Sequence, residues 1–257
     1  MPVASITSIA STCAPSFADG IDLLARYNNY FRTQPADTPE RLREALALRY
    51  QVYCLERKFE NASEHEDRLE SDEFDDQAVH ALIIHRPTSE AIGTTRLILP
   101  SHTRELPIHR LLRENGLRAQ DHFPMGRSAE VSRFAISNQF RRRVGDNGFA
   151  TGDIPPDRER RSNLPRLGLI QELVRQSRAH GITHWAAVMD PKLLRMLATM
   201  GIHFDPAGPL ISHHGVRQPS YCCVAEMLEK LRRERPDYWV VVTDAGRLAD
   251  APRRRAA

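Results

Sequence analysis

AEVSRFAISNQFRRRVGDNG, residues 129–148, decides how the rest of the chain is read. Val131, Phe134, Ala135 and Ile136 supply the apolar and β-branched bulk of a strand over about 129–137. Glu130 and Arg133 stand inside that run, and a charge is buried only where it is paired or used. In a regular strand these two face opposite sides, so if both line one site a bulge lies between them. Arg141, Arg142 and Arg143 follow, then Gly145 and Gly148, with a helix further on. Backbone N–H groups, a helix N-terminus and arginine together attract a phosphate-bearing group. The plain alternative is an edge strand with a solvated basic loop.

Upstream, Asp37-Thr-Pro-Glu starts a helix that runs to about Glu56, with Leu42, Ala45, Leu46, Val52 and Tyr53 as its apolar stripe. Arg49 lies on that stripe four residues before Tyr53, so it is either a site residue or a snorkelling arginine at the domain edge. An acidic stretch, Glu64 to Asp76, contains Glu70, Asp72, Asp75 and Asp76 and leads into the strand 79–85. Turn chemistry at Pro87 joins it to a second strand, 93–100, as an antiparallel hairpin. Arg96 stands in that second strand where an aliphatic residue fits the pattern. Before the helix at 37, residues 1 to 17 read as poorly ordered, with a short helix carrying Ile21, Leu23, Leu24 and Tyr27 after them.

Downstream, 106–112 reads as a short helix or turn and 141–163 as a basic loop or insertion. An amphipathic helix covers 164–180 and stops at Gly181. A buried strand, 183–189, and a helix, 192–200, follow. After Ile211-Ser-His213-His214-Gly-Val-Arg217-Gln-Pro219, a segment from Tyr221 becomes a helix ending near Arg235, and 239–243 reads as a short strand. Early antiparallel strands with later strand–helix alternation give a mixed α/β sheet. The domain is expected over 37–245, with 211–245 as a C-terminal extension and 246–257 as a flexible basic tail.

The chain has 257 residues, 41% hydrophobic and 27% charged, an ordinary globular composition with room for a sizeable core. Its net charge of +3 is too small to argue for nucleic acid. Cys13, Cys54, Cys222 and Cys223 show no C-x-x-C spacing, which suits a reducing, cytoplasmic compartment. No signal peptide and no apolar run of about 20 residues are read from the sequence. No metal site is expected from His213 and His214, since no third ligand is spaced with them.

The ordered set Arg49-x-x-x-Tyr53, Glu70-x-Asp72-x-Phe74-Asp75, Arg96 and Glu130-Val-Ser-Arg133-Phe134 resembles the acyl-homoserine-lactone synthases and the long-chain N-acyl amino acid synthases of the GNAT acyltransferase superfamily. The resemblance covers about residues 40–210 and implies a GNAT-like mixed central sheet flanked by helices. Two departures stand out. Phe59 occupies the place of a synthase tryptophan, and the segment 213–219 is similar instead to acyltransferases associated with PEP-CTERM/exosortase systems. With these departures the implied function is transfer of a long-chain acyl group to an amine such as an amino acid. Homoserine-lactone formation from S-adenosylmethionine and a non-catalytic carrier-binding module are the alternatives.

The reaction would be attack of an amine on a thioester, which needs the amine held close and deprotonated. Glu130 is the expected base, with Arg133 and Ser132 beside it and backbone N–H groups near Ser132–Ala135 as oxyanion donors. Arg49, Tyr53, Asp72, Asp75, Arg96, Phe134, His214 and Arg217 are expected to line or order the substrate site. No permanent cofactor is implied. The co-substrate would be an acyl-phosphopantetheine thioester on acyl carrier protein or coenzyme A, met by Arg141, Arg142, Arg143 and Gly145. An acidic carrier protein suits those arginines as steering contacts. The arginines of the tail could also touch an anionic membrane face weakly.

Overall fold

The computed structural model describes residues 14–118, 124–140, 157–212 and 215–249. An eight-stranded sheet forms the centre. Its strands are β1 (Phe31–Pro35), β2 (Ala78–His85), β3 (Glu90–Ile98), β4 (Ser128–Ile136), β5 (His184–Met189), β6 (Asp205–Pro206), β7 (Ile211–Ser212) and β8 (Val216–Cys223). They run in the order β1-β2-β3-β4-β5-β8-β6, with β7 paired on β8. Only β4 and β5 pair in parallel. The expected GNAT-like mixed sheet flanked by helices is the fold observed.

The helices are α1 (Phe17–Tyr30), α2 (Pro39–Arg49), α3 (Pro107–Glu114), α4 (Asp157–Ala179), α5 (Pro191–Thr199), α6 (Val224–Glu234) and α7 (Pro236–Val242). Thr38 caps α2, its side chain accepting from Arg41 N–H, with Pro39 in the first turn. From Tyr50 to Glu56 the helix continues as π-helix, a widening that is frequent at functional sites. The main core joins Leu167, Leu173, Trp185, Leu231 and Val241 beneath the sheet. Gly168 lets α4 press against α1, because a Cβ there would meet the Tyr27 ring at 2.7 Å.

Several elements differ from the sequence expectation. Residues 17–35, placed ahead of the domain, supply α1 and the edge strand β1, which pairs antiparallel with β2. The helix expected from 164 begins at Asp157 and carries Pro165 inside it, so the end of the expected basic loop is helical. The segment placed in a C-terminal extension contains β8, which lies inside the sheet beside β5. The strand expected at 239–243 is α7, started by Pro236 and anchored by buried Asp237, which accepts from Arg235 Nε and Nη2 at 3.0 and 2.9 Å. Of the apolar residues on the expected short helix, Ile21 is exposed, whereas Leu23, Leu24 and Tyr27 are buried. Leu248, in the expected tail, packs against the core.

β4 and β5 determine where the site is. They pair only through Ser128–Glu130 and His184–Ala186, although β4 runs on to Ile136 and β5 to Met189. Beyond Glu130 the two strands part, and the sheet opens.

Candidate active site

The opening holds a cavity of about 660 Å³. Its walls include Tyr53, Asp72, Arg96, Glu130, Ser132, Arg133 and Phe134, with Val188 and Met189 from the facing strand. The bulge that Glu130 and Arg133 require is present. Arg96 pairs with Ser132 and Thr94 with Ala135, so Arg133 and Phe134 together stand opposite Thr95. Arg133 takes φ +51°, the left-handed region that costs a side-chain-bearing residue energy and persists only where the surroundings hold it.

What holds it is an ion network. Arg133 Nε and Nη2 donate to Glu70 at 3.0 and 2.7 Å, and Nη2 also donates to Asp72 at 3.2 Å. Arg49, fully buried, donates to Glu70 Oε2 at 2.5 Å and to Asp75 Oδ1 at 2.6 Å. Arg96 grips Asp72 with both terminal nitrogens at 2.5 and 2.9 Å, reaches Asp75 at 2.6 Å, and donates through Nε to Ser132 Oγ at 2.9 Å. Asp75 Oδ2 accepts from Asp72 N–H at 2.8 Å, which fixes the acidic turn. Burial alone would raise the Glu70 carboxyl, but the hydrogen bonds from Arg49 and Arg133 outweigh it and hold it at about 2. Against the same burial, Arg96 holds Asp72 and Arg49 holds Asp75 below the usual carboxylate range.

Glu130 is outside this network. It is buried, and its carboxylate accepts from Ile108 N–H at 2.8 Å. Ile108 is in the first turn of α3, whose N-cap position is Leu106 and which has no side-chain cap of its own. Glu130 therefore supplies a tertiary cap to α3. Burial pushes its carboxyl up to about 7; the Ile108 N–H and the charges of Arg96 and Arg133 only partly oppose this. A carboxylate poised near neutrality on a cavity wall is suited to proton transfer.

The expected site residues divide into three groups. Glu130, Ser132, Arg133, Tyr53, Asp72, Arg96, Phe134 and Arg217 meet at the cavity. Arg49 and Asp75 are not among the residues lining it; Arg49 pairs with Glu70 and Asp75, the ordering role of the two open to it. His214, Arg141, Arg142, Arg143 and Gly145 lie outside the described residues. Glu70, the hub for Arg49 and Arg133, was quoted in the resemblance but not assigned a role; its burial beneath two arginines follows from tertiary packing alone. Arg57 and Phe59 also line the cavity. Glu56 accepts from Ser137 Oγ and Asn138 N–H, both at 2.8 Å, and so ties the π-helical turn to the end of β4. Among the described residues no cluster of His, Cys, Asp and Glu could hold a metal ion, and no helix is long and apolar enough to cross a membrane.

Residues 48–149 match the acetyltransferase (GNAT) domain, a span that contains Arg49, Tyr53, Asp72, Arg96, Glu130 and Arg133. No curated protein sequence matches the chain. Similar solved structures include TofI in a ternary complex with an inhibitor and MTA (21% identity, 78% of this chain and 96% of that one, TM-score 0.57). BjaI, a CoA-dependent acyl-homoserine lactone synthase with SAM and isopentyl-CoA, is 18% identical over 87% of this chain and 94% of its own, with TM-score 0.51. The AHL synthase LasI is 19% identical over 75% of this chain and 88% of its own, with TM-score 0.50. At these identities the likeness is one of fold. The domain match agrees with the expectation of an amide-forming acyltransferase of GNAT type.

Proposed function

We propose that this chain transfers an acyl group from a phosphopantetheine thioester to an amine, with Glu130 as general base. The observation that carries the reading is a buried carboxylate with its pKa pushed up to about 7 on the wall of a cavity between two parting strands. The amine nitrogen attacks the thioester carbonyl carbon, the C–N bond forms, and the C–S bond breaks to release the thiol. Glu130 takes the proton that the amine loses, directly or through water, and the departing sulfur takes up a proton. Proximity supplies much of the rate, because no covalent enzyme intermediate is needed.

The parted strands bear on the transition state too. Past Glu130, no strand among the described residues pairs with the β5-facing edge of β4, and the bulge disrupts the ladder on the other edge at Arg133 and Phe134. Backbone N–H groups of this stretch are the oxyanion donors in this reading. Arg133 and Arg96, locked by carboxylates, hold that backbone in place and do not themselves transfer protons.

The acyl carrier is coenzyme A or acyl carrier protein, and both present the same thioester. The wall residues Val131, Phe134, Val188, Leu193 and Met196 offer an apolar surface for the acyl chain. The test is release of free thiol from acyl-coenzyme A and acyl carrier protein with a panel of amines, followed by mass spectrometry of the products. N-acyl products from the wild type, absent with Glu130→Gln, support the reading. Dependence on S-adenosylmethionine for every turnover would move the function to lactone synthesis, and thioester binding without turnover of any amine would refute catalysis.

A further inference from the structure

Two walls of the cavity come from distant parts of the chain. The turn after α2 supplies Tyr53, Arg57, Phe59 and Glu60, and β4 supplies the facing stretch from Glu130 on. Two attachments join them. At the bulge, the Arg133 guanidinium covers the Tyr53 ring at 5.3 Å, and Nη2 lies 3.5 Å from Glu60 Oε1. Beyond the bulge, Glu56 Oε1 accepts from Ser137 Oγ and Oε2 accepts from Asn138 N–H, each at 2.8 Å, across 81 and 82 residues of sequence. Phe134, Ala135 and Ile136 lie between the two attachments, and Phe134 and Ile136 line the cavity.

The second attachment is anchored at both ends. Ser137 is buried, and its N–H donates to Ile92 O of β3 at 2.9 Å, so the point that Glu56 grips is itself fixed to the sheet. The Ser137 hydroxyl gives its hydrogen to Glu56, while its oxygen accepts from Gln139 N–H at 3.2 Å. At the other end, Glu56 is the last residue of the π-helical turn Tyr50–Glu56, which closes with Arg57 N–H donating to Val52 O at 3.0 Å. Gln51 Nε2, in the same turn, donates to Glu56 Oε1 at 3.3 Å. Tyr53 O accepts from Phe59 N–H at 2.8 Å, so the place of Phe59 follows from this turn as well. A carboxylate accepting several hydrogen bonds holds its donors more firmly than a neutral acceptor. Glu56 is not among the residues lining the cavity, so its effect on chemistry passes through the walls.

We infer that Glu56 is a positioning residue. By clamping Ser137 and Asn138, it fixes β4 beyond the bulge against the turn that bears Tyr53 and Phe59. The backbone from Arg133 to Ile136 is thereby held where the thioester meets it. The inference rests on the proposed acyl transfer and adds to it a residue outside the cavity.

The test has an exchange arm and a turnover arm. Both compare the wild type with Glu56→Ala, Glu56→Gln, Ser137→Ala and the double variant Glu56→Ala/Ser137→Ala, each checked for native thermal unfolding. Glutamine can accept from Asn138 N–H and donate to Ser137 Oγ, so it keeps both contacts, whereas alanine keeps neither. In Glu56→Ala, amide hydrogen exchange over residues 131–138 is expected to quicken at least tenfold and that of β2 to stay unchanged. In thiol-release kinetics, its kcat is expected to fall at least tenfold, with KM for the acyl thioester within a factor of two of wild type. Glu56→Gln is expected to restore exchange and kcat to within a factor of three, and the double variant to fall no further than Glu56→Ala. Unchanged exchange over 131–138, a kcat within a factor of two of wild type, or a Glu56→Gln as impaired as Glu56→Ala overturns the inference. Losses that multiply in the double variant overturn it too, since Glu56 and Ser137 would then act separately. If the wild type acylates no amine, the acyl-transfer reading fails, while the exchange arm still decides the clamp.

Discussion

Glu130→Gln separates catalysis from stability in opposite directions. Glutamine keeps the shape and can still accept from Ile108 N–H, so the cap on α3 survives. It cannot take a proton from the amine, and loss of a general base costs typically 10²–10⁴-fold in rate. The wild-type kcat should therefore fall as pH drops through about 7, and this limb should vanish in the variant. Stability moves the other way. A carboxyl raised from its ordinary 4.5 to about 7 costs folding free energy wherever it is ionised, about 3 kcal/mol above pH 7 and nothing below pH 4.5. Glu130→Gln should thus be more stable than the wild type by about 3 kcal/mol at pH 8, roughly 6–12 °C in Tm for a domain of this size. At pH 4.5 the two should unfold together.

His80 gives the same experiment a second sign. It is buried, neither ring nitrogen has a hydrogen-bond partner, and burial pushes its pKa down to about 4, with Arg49 and Arg96 adding to the effect and Asp75 opposing it. A depressed histidine withdraws stability as pH falls from about 6.5 to 4, again about 3 kcal/mol. In the wild type this loss offsets the gain from neutralising Glu130, so stability should stay nearly flat between pH 6.5 and 4.5. In Glu130→Gln the offset is gone, and Tm should decline steadily with acid. Thermal unfolding of both proteins at intervals from pH 4.5 to 8.5, beside thiol-release kinetics, checks both signs. A Tm difference independent of pH, or an acid limb of kcat that persists in Glu130→Gln, would refute the reasoning.

Arg49→Met leaves Glu70 and Asp75 short of a buried partner and should cost about 3–5 kcal/mol, read as a lower urea midpoint. Arg133→Lys cannot keep both guanidinium bonds to Glu70, so the bulge loses its lock; kcat should fall at least tenfold, and a kcat within a factor of two of wild type would exclude the role of Arg133 as a positioning residue. Gly168→Ala puts a Cβ 2.7 Å from the Tyr27 ring and should destabilise by about 1–3 kcal/mol through the α1–α4 contact, measured by chemical denaturation.

The site was more legible in the sequence than the edges of the fold. Glu130, Arg133, Arg96 and Arg49 each interrupt an apolar pattern, and an interruption that evolution keeps inside a core needs a partner. In the acidic turn Asp72 and Asp75 were picked out by the resemblance, whereas the role of Glu70 was not, because its burial is decided by what packs over it. β1 and β8 were missed for a related reason. FRTQP has too few apolar residues to alternate, and β8 contains Pro219, which a central strand normally excludes. Pro219 cannot donate to the ladder, but its carbonyl accepts from Ala207 N–H at 2.8 Å. Residues 239–243 read as a strand because a short, largely apolar run carries no period to separate a strand from a helix; Pro236 just before it was the better signal.

The distribution of charge singles out one carboxylate among several as the proposed base. Arg49, Arg96 and Arg133 face Glu70, Asp72 and Asp75, and Arg133 Nη2 also lies 3.5 Å from Glu60 Oε1, so each of the three arginines is matched by carboxylates. Glu70, Asp72 and Asp75 are held below the usual range and cannot accept a proton near neutral pH, although Asp72 also reaches the cavity. Glu130 lies just beyond the last pair, with the neutral Ile108 N–H as its hydrogen-bond donor among the described residues. The same burial that the arginines overcome for their partners therefore prevails at Glu130 and lifts its proton affinity. The network's contribution to chemistry is thus indirect: by consuming the arginines, it leaves one unmatched carboxylate at the point where β4 and β5 part.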